Sequence, residues 1–235
     1  HGGATPAMTA DLVMTGTGVV FQSLVSTNGF GSLTIDTAGS ITILGTFLLL
    51  DGLSSADGFI YNQGTVNATA STIKGSTNLV GAAGKLVMNA AGFVFGTIEC
   101  LPGGLTEFGF FTGNFGCNIT TLIMTSTVAS NSVHFVFQSG KTYNILNSIQ
   151  MNGKVGGGTN NSPTLNSSTP GVAAIVTLPH GASQDMNYAL AIDIDSSLGQ
   201  TMYSWNGGSP VGTFSGSTNW SLITASMLKR GYGHN

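Results

Sequence analysis

The chain is 235 residues long, with 6% charged residues, 41% hydrophobic ones and 35 glycines. Disordered chains are poor in apolar residues and rich in charge, so this composition excludes one, and six Lys and Arg leave no electrostatic footprint for nucleic acid. No apolar run reaches the ~18 residues of a membrane helix, and a net charge of −3 makes for a surface that opposes self-association weakly.

His1–Ala10 has no periodic pattern and reads as a lead-in. A start at His1 instead of Met suggests a processed or incomplete chain, with a removed signal peptide and an extracellular or cell-surface location as the expectation. Asp11–Val25 is either a strand or an arm that docks elsewhere, so residues 1–25 form an N-terminal arm or lead-in strand and residues 26–225 the body. Within the body, Leu33–Asp36, Ile41–Leu44 and Phe47–Leu50 are short apolar runs separated by small polar corners. Phe59–Asn62, Thr65–Thr69 and Ser71–Lys74 repeat the arrangement, and Lys85–Asn89 and Phe93–Gly96 continue it. Residues 103–116, rich in Phe and Gly, read as an excursion from the repeat. Val133–Gln138, Thr142–Leu146, Ser148–Met151 and Thr164–Asn166 are further short runs. Residues 226–235 are a C-terminal tail, and the region Ser221–Lys229 is the one place where a single helical turn is expected.

Val, Ile, Leu, Phe and Thr in the runs suit a pleated, half-buried surface. Gly, Asn and Ser in the corners tolerate or hydrogen-bond left-handed backbone. Alternation in stretches such as Thr65–Thr69 sends every second side chain inward. Two all-β layouts fit: a β-sandwich with hairpins, or a β-solenoid with three short strands per coil of ~20–25 residues. The strands are brief and the corners tight, which favours the solenoid.

Phe137, Gly140, Lys141, Thr142 and Tyr143 are followed by Ser167, Ser168, Pro170 and Gly171, then by Asp193, Asp195, Asn219 and Trp220. This series resembles the closing segment of repetitive bacterial and viral surface proteins built on a right-handed parallel β-helix. The resemblance implies that fold and no activity, since such proteins occur as adhesins, surface-layer components and virion fibres.

Cys100 and Cys117 are the two cysteines, either bridged or two buried free thiols; a bridge is the expectation, at roughly 3 kcal/mol by chain entropy. Glycosylation triplets begin at Asn67, Asn118, Asn160, Asn166 and Asn219, a number that chance supplies in a chain rich in Asn, Ser and Thr. Asp193 and Asp195 stand two apart, which on one strand puts both carboxylates on one side. They are then a surface pair before a turn, a Ca²⁺ site, or the acid and base of a glycosidase. His1-Gly2 resembles the start of copper-dependent polysaccharide monooxygenases, with His134, His180 or His234 as second ligand, but nothing else in the chain resembles them. Thr-rich stretches suggest a hydroxyl array without showing an even Thr-x-Thr ladder. Tyr143, Tyr188, Tyr203 and Trp205 are candidates to line a glycan-binding groove. No nucleophile elbow or phosphate-binding loop occurs. The expectation is a non-enzymatic extracellular structural protein whose partners are copies of itself. Its alternatives are a carbohydrate-binding or carbohydrate-cleaving β-helix and a virion fibre or decoration protein.

Overall fold

The computed structural model describes residues 8–14, 18–23, 29–49, 58–76, 84–101, 107–126, 133–153, 162–205 and 214–223. They contain strands and no helix, and the strands form a β-solenoid, a stack of parallel rungs with three faces. The first face runs through β1 (Met8–Met14) and the openings of β3 (Gly29–Leu49) and β4 (Gly58–Ser76). It continues through β5 (Gly84–Met88), β7 (Glu107–Gly109), β9 (His134–Phe137), β11 (Thr164–Ser167), β14 (Leu190–Ile192) and β17 (Phe214–Ser215). The second runs through β2 (Val19–Ser23), the middles of β3 and β4, and the openings of β6 (Val94–Leu101), β8 (Asn118–Thr125) and β10 (Thr142–Asn152). It ends in β12 (Ala174–Thr177) and β15 (Ile194–Asp195). The third takes the closing halves of β3, β4, β6, β8 and β10, then β13 (Ser183–Asn187), β16 (Met202–Trp205) and β18 (Trp220–Ile223).

The short runs read from Leu33 onward are one continuous strand as far as Leu49, with Leu50 outside the described residues. Its corners survive as breaks in register between Ile35 and Asp36, between Asp36 and Ser40, and between Thr42 and Gly45. Backbone pairing therefore passes through the corners as bulges instead of stopping at them. Coil length is also less even than the spacing suggests. Val19 pairs with Ile41, Ser32 with Gly58, Thr142 with Ile175 and Met202 with Trp220, giving coils of 22, 26, 33 and 18 residues.

Inward positions supply the core. Leu33, Ile35, Ile41, Ile43, Ile98, Ile119, Leu122 and Ile149 are fully buried. Through its middle runs an aromatic column: Tyr61 against Phe93 with ring centroids 5.0 Å apart, Phe93 against Phe95 at 4.4 Å, Phe95 against Phe110 at 6.0 Å, and Phe110 against Tyr143 at 4.7 Å. Edge-to-face and tilted rings at these distances add about 0.5–1.5 kcal/mol per pair beyond area burial. Past Tyr143 the core turns from aromatic to aliphatic, with Ile149, Met151, Leu165, Val176, Leu178, Ile194 and Met202 buried beside Ala174, Ala189 and Ala191.

Two expectations are corrected here. The segment 103–116 is not an excursion in its described part, because β7 pairs between β5 and β9 and sends Phe108 and Phe110 into the aromatic column. Residues 102–106 lie outside the described residues. The helical turn expected over Ser221–Lys229 is β-strand as far as Ile223, held by parallel pairing with β16. At the other end, Asp11–Met14 and Val19–Ser23 pair in parallel with β3, so these parts of the N-terminal segment continue the ladder.

Candidate functional site

Sequence-predicted site residues separate in the structure. Tyr143 is fully buried in the aromatic column, so it lines no groove. Burial, and then the nearby Cys117, raise its hydroxyl pKa. The inward parity of Tyr143 and Ile145 on β10 fixes this placement.

Asp193 and Asp195 do not share a strand face. Asp193 has φ +55° and forms the left-handed corner between β14 and β15, which breaks the two-residue alternation assumed for the pair. Its carboxylate accepts the Gly171 N–H at 2.8 Å from the preceding rung. On the other side it lies against Gly216, where any Cβ would collide with it. Asp195 accepts hydrogen bonds from the Thr218 hydroxyl and, at 2.9 Å, from the Ser197 N–H. These bonds, that from Thr218 first, hold its carboxyl below the usual aspartate range. Each carboxylate thus ties rungs or turns together. Among the described residues no group of three or more His, Cys, Asp and Glu converges as a metal-ligand set.

Cys100 and Cys117 are buried free thiols, which corrects the expected bridge. Cys100 lies on the third face, paired with Met124, whereas Cys117 leads into Asn118 at the start of the second face. Of the glycosylation triplets, Asn160 lies outside the described residues. Asn67 is exposed, and its side-chain oxygen accepts the Thr69 hydroxyl at 2.9 Å. Asn118 accepts the Asn144 amide at 2.8 Å, and Asn166 meets His134 at 3.3 Å. Asn219 has φ +61° and donates to the Ser196 and Gly199 carbonyls at 2.8 and 3.2 Å. It is a corner cap.

What remains together is the outer surface of the third face. On β16, Met202 and Ser204 are buried while Tyr203 and Trp205 are half-buried, so the two rings stand side by side on the outside. Trp205 pairs with Asn187 in the rung before it and Ile223 in the rung after it. Tyr188 sits at the next corner with φ +55°, its N–H donating to the Trp205 carbonyl at 2.9 Å. Beside the rings, Asn187 donates to Asn152 at 2.8 Å and to Asp185 at 3.2 Å.

The same face carries a column of hydroxyls that the spacing of the Thr-rich stretches does not show. Thr46, Thr72, Thr97, Thr121, Ser148 and Ser183 are successive register partners, and the Ser148 hydroxyl donates to Thr121 at 3.1 Å. Uneven coil lengths hide this column from any fixed-period scan. The adjacent column is mixed, with Lys74 and Glu99 joined at 2.9 Å and then Ile123 and Gln150. A two-column Thr array is therefore not formed among the described residues.

The class of protein defined by these features is the β-solenoid. No family model, no curated protein and no solved structure matches the chain.

Proposed function

We propose that the chain is a non-enzymatic extracellular structural protein whose copies stack end to end into a surface fibre or filament. The observation that carries the reading is the last described rung. There β17 pairs with β14 and β18 with β16, and among the described residues neither has a partner on its outer edge. Their register places Trp220 and Leu222 on the inward side, above Met202 and Ser204. Phe214, Trp220 and Leu222 are nonetheless only half-buried, whereas Met202 and Ser204 are fully buried. At the opposite end, β1 and β2 pair with β3 alone among the described strands.

Unpaired strand edges and an open apolar cross-section recruit further strands. Parallel rungs leave head and tail as different surfaces, so a joined pair exposes the same two ends again and the contact propagates. The low charge opposes this weakly. Sedimentation velocity and native mass spectrometry over a concentration series test it. The expected result is a ladder of oligomers that shortens when Leu222→Lys places a charge at the end rung. A strictly monodisperse monomer at the highest concentration would overturn the proposal.

A further inference from the structure

We propose that the outer surface of the third face around Tyr203 and Trp205 binds an uncharged glycan chain. Every other outward position whose side chain is described on this face is Thr, Ser, Lys, Glu, Gln, Asn, Asp or Ile, and the two aromatic residues stand next to each other on β16. The core does not require them there, because Met202 and Ser204 fill the inward positions of the same strand. Residues two apart on a strand are separated by roughly 6.6 Å, a spacing on the scale of one pyranose unit. The two rings therefore offer consecutive stacking platforms for the C–H faces of neighbouring sugars.

Hydroxyl recognition comes from the rungs alongside, about 4.8 Å away per rung. Gln150 and Asp185 are register partners there, as are Asn152 and Asn187. Gln150 and Asp185 are exposed. The Asn152–Asp185–Asn187 hydrogen bonds hold this group in place before any ligand arrives, which limits the ordering lost on binding. Amides supply donors and acceptors, and carboxylate oxygens accept from sugar hydroxyls. Among the described residues the charge next to the rings in register is the Asp185 carboxylate, which favours an uncharged polymer over an anionic one. This proposal stands independently of end-to-end assembly.

The test is retention of the purified protein on cellulose, chitin, xylan and β-1,3-glucan, with alginate and polygalacturonate as anionic counterparts. Oligosaccharides of whichever polymer retains it are then titrated against tryptophan fluorescence. The expected result is retention on at least one uncharged polymer. Trp205→Ala and Tyr203→Ala should each weaken binding at least tenfold with melting unchanged, while Thr97→Ala, on the same face but away from the rings, leaves it intact. Because Trp220 is the other tryptophan, the fluorescence change should persist in Trp220→Phe, which reads Trp205 directly even if the alanine variants fold poorly. Failure to bind any uncharged polymer, binding to the anionic polymers alone, wild-type affinity in both ring variants, or loss of the signal in Trp220→Phe would each overturn it.

Discussion

At Cys100 and Cys117 burial lifts the thiol pKa well above its ordinary value, with Glu99 adding to the effect at Cys100. The thiolate is the reactive species. Both thiols are therefore expected to ignore Ellman's reagent in the native protein and to react fully after denaturation, and rapid native labelling would contradict this. Asp195 behaves in the opposite sense. Its native carboxyl titrates lower than in the unfolded chain because Thr218 and Ser197 donate to the charged form. Its contribution to stability is thus present above the unfolded value, near pH 4, and is lost as pH falls through the lowered native value. Asp195→Asn should flatten the acid limb of the melting temperature against pH and leave its slope above pH 5 unchanged. In the core, Phe135 is fully buried against Phe108, Phe110 and Phe137, with centroids 5.6, 5.8 and 4.9 Å away. Phe135→Ala should cost about 3–5 kcal/mol in urea unfolding, as for other buried aromatic residues.

Between strands, the rungs approach most closely at glycines. A Cβ at Gly116 would collide with the backbone carbonyl of Thr142 in the next rung. Gly116→Ala forces β8 and β10 apart at their openings, and a loss of about 2–3 kcal/mol is expected from the urea midpoint. A change under 0.5 kcal/mol would mean that the rungs are not stacked here. The elements that the sequence made legible are those with clean alternation. In Tyr143–Leu146 polar and apolar residues alternate, and Tyr143 and Ile145 are the buried ones. That alternation places Tyr143 inward, away from the groove for which it was a candidate. The Phe108-Gly109-Phe110 stretch was harder to read because its outward residue is glycine, packed under the Val136 backbone, so the pattern lacks the polar partner that marks a half-buried strand. Asp193 and Tyr188 turn corners in the left-handed region without the glycine that normally signals one. The hydroxyl column and the placement of Tyr203 and Trp205 beside Asn187 depend on register between coils of unequal length, which no local spacing encodes.

Over the whole molecule, three parallel ladders run in one direction and end on strands that, among the described residues, pair on one side only. In the proposed filament, fold and assembly would share one axis. The strands of every copy would lie across the filament, and the spacing between rungs, about 4.8 Å, would repeat along it. The outer third face, with its hydroxyl column and aromatic pair, stays on the flank of such a filament and remains accessible when the ends are joined. Electron microscopy of concentrated protein, followed by X-ray diffraction from an aligned fibre, tests this most directly. The account predicts unbranched filaments with a strong meridional reflection near 4.8 Å. Discrete single particles at every concentration, or filaments whose 4.8 Å reflection falls on the equator, would contradict it.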